Sequence, residues 1–137
     1  RLAPFSLINH MKTIIASGPV IIEDNKVLLN KHGDDSFWKF PGGRVENFDF
    51  ENELNSLEEA CKREVKEEMG IEIEIIKPLK PMLVKKDETT WVVLIHYLAK
   101  RVGEVKPGDD ILKWDWIDID NLPDDCAPNI RPVIESI

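Results

Sequence analysis

Between Arg63 and Gly70 the chain reads REVKEEMG, which crowds the carboxylates of Glu64, Glu67 and Glu68 together. Acids spaced i, i+3 and i, i+4 are neighbours on a helix, and like charges at those spacings weaken it. Burial makes the conflict worse, because a desolvated carboxylate favours its protonated form. A divalent cation among the three removes the repulsion. Mg²⁺ suits such a place, since it takes oxygen ligands, keeps several waters and bridges to phosphate groups. The competing reading is a solvated face on which Lys62, Arg63 and Lys66 neutralise the acids.

The helix that carries them decides between these readings in part. Leu57, Ala60, Cys61, Val65 and Met69 recur at three- and four-residue spacing and form one apolar stripe. At ~100° per residue, Glu64 and Glu68 fall inside that stripe and Glu67 at its edge. Two acids therefore sit on the side that packs. Ser56 with Glu59 reads as a capping box at the start, and Gly70 as the stop.

Upstream, FPGG (Phe40 to Gly43) ends a short apolar strand, and glycine lets backbone come close to a ligand. Neither a P-loop nor GxGxxG is present. Arg44 to Asn55 has no clean period and reads as a long loop. Strands are expected from Thr13 to Ile22, over VLLNK and FWKF, and, after the helix, over IEIEII, MLVKK, WVVLIHYLAKR and ILKWDWIDI. Glu23 to Lys26 is a turn, and a short helix is expected from Ile130 to Ile137. Strands outnumber helices and hairpins are frequent, so the class is α+β, a mixed sheet with helices packed on it.

With 137 residues, 42% of them hydrophobic, the chain suits one domain, placed at residues 13–137. Residues 1–12 are expected to be an N-terminal extension, partly of cloning origin, with Met11 a candidate natural start. A net charge of -8 makes a poor partner for nucleic acid polymers or anionic membranes. A phosphate ligand would need a cation beside it. Cys61 and Cys126 form no CxxC or Cys/His cluster, which points to a reducing compartment, the cytoplasm. The longest apolar runs, such as WVVLIHYLA, are too short to span a bilayer.

Together these residues resemble the Nudix hydrolase family, whose box runs G-x5-E-x7-R-E-U-x-E-E-x-G-U with U a bulky apolar residue. Arg63 to Ile71 match its second half completely. The first half departs, because the stretch from Gly43 to Arg63 is six residues longer than the pattern. Counting forward puts the box glutamate at Asp49, and counting back puts it at Asn55. The additional residues fall in Phe50 to Asn55, and Asp49, Glu51 and Glu53 are the acids available for the role. In the family that glutamate helps hold the loop to the helix, often through the box arginine.

The resemblance implies an α/β/α sandwich and a Mg²⁺-dependent hydrolase, with Mn²⁺ as a substitute. Such an enzyme cleaves the pyrophosphate linkage of a nucleoside triphosphate or other nucleoside diphosphate derivative and releases a nucleoside monophosphate. It places Glu64, Glu67, Glu68 and the Gly42 carbonyl at the metal. Glu64 is the favoured base, Arg63 orients the acids, and Arg44 is a phosphate contact or, alternatively, a surface charge. Asp109 and Asp110 are candidate later-loop acids, set against a plain Asp-Gly turn. The compact chain resembles the MutT-like branch, in which Asn129 would read the base; its alternative is a helix cap. ADP-ribose or a nucleotide sugar is the second substrate reading, and a non-catalytic nucleotide- or protein-binding module the other class. A monomer or homodimer is expected. His32 and His96 are expected to be structural.

Overall fold

The computed structural model describes residues 11–33, 37–51 and 54–137. Strand β1 (Lys12–Glu23) turns into β2 (Lys26–His32) through Asp24 and Asn25, whose φ values are 50° and 62°. Two consecutive positive-φ residues match the twist of a tight hairpin, and Asp and Asn tolerate that region best after glycine. The hairpin is brief: β1 and β2 pair only at Ile22↔Val27 and Glu23↔Lys26. Beyond that point β2 runs with β7 (Ile111–Asp118), antiparallel from Lys26↔Asp118 to His32↔Ile111.

β1 instead lies parallel to β6 (Thr90–Val102), from Lys12↔Thr90 to Ile21↔Ala99. β4 (Glu72–Pro78) and β5 (Met82–Asp87) flank β6 antiparallel, and the short β3 (Gly43–Arg44) pairs with β1. The mixed sheet has the order β4-β6-β1-β2-β7. Helices α1 (Ser56–Met69) and α2 (Ile130–Glu135) complete the fold.

Strand alternation sorts the core into two layers. Ile21, Leu28, Tyr97 and Ala99 pack with Cys61, Val65 and Met69 of α1. Their sequence neighbours Val20, Val27 and Leu29 pack with Ile130 and Val133 of α2. The helices thus cover opposite faces of the sheet, as expected for an α/β/α sandwich.

Two local expectations change. FWKF is not a strand: Trp38 and Lys39 make single bridges, to Cys126 and Asn30. The capping box does not form either. Ser56 is already the first helical residue, and Asn55 at the cap position makes no side-chain cap bond. The helix start is instead held from β1, where Ser17 Oγ donates to the Leu57 carbonyl at 3.0 Å.

His96, on β6, is buried at 6% exposure beside the Phe40 ring. Nδ1 lies 3.3 Å from the Gly18 carbonyl, and Asn129 Nδ2 lies 3.1 Å from Nε2. The carbonyl can only accept, so the proton sits on Nδ1 and Nε2 accepts from Asn129. Burial pushes the His96 pKa down to about 4, against a small opposing effect of the Gly18 bond. The sign follows: unfolded chains take up this proton below about pH 6.5 while the native state refuses it until about pH 4. The stabilising contribution is complete above the unfolded value and is lost as pH falls between the two, about 3 kcal/mol in all. Urea unfolding at about pH 7 and about pH 4 should show that additional loss in the wild type and not in His96→Gln. Equal losses in both would remove His96 as the cause.

Candidate active site

The helix α1 ends where its geometry requires, at Gly70 with φ 68°, whose N–H bonds the Lys66 carbonyl at 3.0 Å. The last open carbonyls are met by the loop before β7. Lys106 N donates to Met69 O at 2.8 Å and Gly108 N to Glu68 O at 2.9 Å. This docking brings Asp109 and Asp110 onto a cavity of about 220 Å³ walled by Glu64, Glu67, Glu68 and His32. The loop acids and the helix acids therefore share one chamber.

Glu68 is buried, at 9% exposure. Its Oε1 accepts from Asn30 Nδ2 at 2.6 Å and from the Gly42 amide at 3.2 Å, and its Oε2 lies 3.2 Å from His32 Nε2. Glu64 is half-buried, and burial raises its pKa, opposed by Arg63 and helped upward by Glu67 and Glu68. A Cβ on Gly43 would collide with the Glu64 carboxylate, so a larger residue there would push that carboxylate out of its place. Glu67 is exposed, as its place at the edge of the stripe requires.

Arg63 ties the cluster together. Its Nε and Nη2 donate to Asp49 Oδ1 and Oδ2, both at 2.8 Å. Nη2 also lies 3.0 Å from Glu64 Oε1, and Nη1 3.1 Å from Glu67 Oε2. The guanidinium rests 4.7 Å from the centre of the Phe48 ring. Asp49 is buried in a 3₁₀ turn (Asn47–Glu51) and also accepts from the Glu46 amide at 2.7 Å. Of the acids available in the loop, the forward count names the one that pairs with Arg63; Glu51 is exposed, and Glu53 lies outside the described residues. The lysines take other partners. Lys62 faces Glu59 and Lys66 faces Glu72, while Arg63 pairs with Glu64 and Glu67.

Among the described residues, no three Asp, Glu, His or Cys side chains stand as a ready-made metal cage. Arg63 draws Glu64 and Glu67 to itself, and Asn30, Gly42 and His32 draw Glu68. The donor set is nonetheless the right kind for a hard divalent cation: carboxylates around one small chamber, one of them raised in pKa by burial and, to a lesser extent, by the two neighbouring acids. For Gly42 the structure shows the amide at Glu68 rather than a carbonyl at the chamber.

Beside the glycines lies a larger cavity of about 450 Å³, lined by Gly18, Phe40, Gly42, Leu94, His96 and Asn129. It shares Lys39, Gly43 and Asn129 with a third cavity of about 480 Å³ that adds Arg44, Lys85 and Lys86. Asn129 stands at the N-terminal position of α2 without capping it; its amide goes to His96. The Arg44 side chain is exposed, and its carbonyl accepts from Arg63 Nη2 at 3.2 Å. His32, expected to be structural, lines the acid chamber instead, and Asn30 was not singled out, since neither carries a motif. An asparagine closing the apolar run VLL was the one available signal.

The family model of the NUDIX domain matches residues 12–137. The ADP-ribose pyrophosphatase of Methanocaldococcus jannaschii is 32% identical over 120 residues, covering 83% of this chain and 67% of that protein. Among solved structures, the MutT NUDIX hydrolase from Burkholderia pseudomallei superposes with a TM-score of 0.79 at 26% identity, covering 92% of this chain and 98% of that one. A MutT protein from Methanosarcina mazei Go1 gives a TM-score of 0.76 at 22% identity, covering 91% and 92%, a likeness of fold. With the box helix, its arginine clamp and the glycine loop in place, the chain belongs to the Nudix family of pyrophosphate-cleaving hydrolases, whose members generally use divalent metal ions.

Proposed function

We propose that the protein is a Mg²⁺-dependent hydrolase that cleaves the pyrophosphate bridge of a nucleoside triphosphate or related nucleoside diphosphate derivative and releases a nucleoside monophosphate. The observation that carries this reading is the juxtaposition of the acid-walled chamber with a base-sized cavity across Gly42 and Gly43. Glu64, Glu67 and Glu68 would hold the cation, which when bound neutralises the bridge and lowers the pKa of attacking water.

The chain's own groups do the rest. Glu64, half-buried with a raised pKa, is the favoured acceptor for the water proton, with Asp109 and Asp110 within the same chamber as alternatives. Arg63 braces Glu64 and Glu67 by an ion pair to each. Lys39 and Arg44 bring positive charge to the phosphate side of the cavities in an otherwise acidic protein. Asn129 gives its amide to His96, so its carbonyl oxygen is the atom offered to a base. The buried Cys61, its thiol pushed up to about 12 by burial, takes no part and suits a cytoplasmic enzyme.

ADP-ribose is the second reading, supported by the relative of that name. A panel of nucleoside triphosphates, ADP-ribose and nucleotide sugars, each assayed with Mg²⁺ for nucleoside monophosphate release, separates the two. Turnover of none of them would sink the hydrolase assignment and favour a nucleotide-binding module.

A further inference from the structure

Strand β2 buries four consecutive residues completely: Val27, Leu28, Leu29 and Asn30. Three are apolar, as a central strand between two helix layers requires. The fourth is an amide, on the same strand face as Leu28, turned toward α1. Its backbone is pinned in both directions, with Asn30 N donating to Lys39 O and Lys39 N to Asn30 O, each at 2.9 Å. The side chain has little room to move.

The orientation of that amide is informative. Nδ2 meets Glu68 Oε1 at 2.6 Å and Met69 Sδ at 3.4 Å. Oδ1 is buried with no hydrogen-bond partner among the described residues. A buried polar atom without a partner is destabilising, and a leucine in its place would pack without one. The residue thus keeps its donor engaged and leaves its acceptor unsatisfied.

We propose that Asn30 is a positioning residue for Glu68, an inference that rests on the metal-dependent hydrolase reading above. Together with the Gly42 amide it fastens Oε1, so the carboxylate cannot rotate away from Glu64 and Glu67 when no cation offsets their repulsion. Oε2 is left on His32, and both residues wall the acid chamber. Glu68 alone is thus held in a fixed place on the chamber wall, which spares the ordering of that one carboxylate when a cation gathers the others.

Mn²⁺ binding followed by electron paramagnetic resonance, with kcat and KM on the best substrate of the panel, tests this on the whole chain. In Asn30→Ala the Mn²⁺ dissociation constant should rise by about 10- to 100-fold, the range for partners that orient a ligand. The kcat should fall by a similar factor while KM stays within about twofold. Asn30→Ser retains a shorter donor, should recover part of both losses, and carries the comparison alone if Asn30→Ala does not fold. A lower melting temperature with wild-type Mn²⁺ affinity and kcat overturns the proposal, since it shows a packing role only. Wild-type protein that binds no Mn²⁺, or Glu68→Gln with full activity, overturns the hydrolase reading instead, and this inference falls with it.

Discussion

Glu68→Gln is expected to fold like the wild type and to turn over at least about 10²-fold more slowly, because even residues that only orient a metal ligand cost about 10- to 100-fold. The substitution is isosteric. Asn30 Nδ2 and the Gly42 amide, which now serve Oε1, can donate equally to a carboxamide oxygen. That orientation turns an NH₂ toward His32 and the chamber, where a cation needs an acceptor. Without metal, the variant should be as stable as the wild type or slightly more so, since one like-charge pair at i, i+4 is gone. With a divalent cation at about 100 times its dissociation constant, the wild type should gain about 2.7 kcal/mol. That corresponds to a rise on the order of 10 °C in melting temperature for a domain of this size. The variant should show no such rise. Differential scanning fluorimetry with and without Mg²⁺, beside a turnover assay, reads both effects. A variant with the wild-type shift and the wild-type kcat takes Glu68 out of the metal site.

Asp49→Ala should be the most destabilising change in the loop. Asp49 is buried and holds Arg63 by two hydrogen bonds of 2.8 Å. Removing it leaves a guanidinium with its main partner gone, a loss of about 3 kcal/mol for a pair of this kind. The melting temperature should fall by about 10 °C. Activity should fall as well, since Arg63 also braces Glu64 and Glu67. The pH dependence has a defined sign. The Arg63 bonds depress the Asp49 pKa below its usual value of 3.8, with the Glu46 amide adding to the shift. Its contribution is therefore present above that usual value and disappears as pH falls through the lower folded one. Urea titrations of wild type and Asp49→Ala should differ at neutral pH and converge in strong acid. A constant difference across that window would mean that packing, and not the ion pair, carries the effect.

Much of this site is written in local spacing. The burial of Glu68, the half-burial of Glu64 and the exposure of Glu67 follow from the period of the apolar stripe alone. The hairpin at Asp24 and Asn25 and the stop at Gly70 follow from residue types that accept positive φ. Asp49 was legible only as one of several acids. Its identity depends on where the loop tightens into a 3₁₀ turn, so that the additional residues fall after it. His32 carried no motif, and Asn30 only the weak signal of an amide closing an apolar run. Their roles arise because β2 leaves β1 after two pairs and crosses the end of α1, a matter of tertiary placement. The capping box failed because the helix starts one residue earlier than the pattern requires, so that Ser56 is already helical and cannot stand as the cap.

The brevity of the β1–β2 pairing has a mechanical consequence. Two leaves of sheet, one built on β1 and β6 and the other on β2 and β7, meet along a seam fastened by few backbone bonds. The Glu68 carboxylate reaches across it, gripped from one leaf by Gly42 and from the other by Asn30 and His32. It acts as a rivet. The carboxylate proposed as a metal ligand is thus also bonded to both leaves of the sheet.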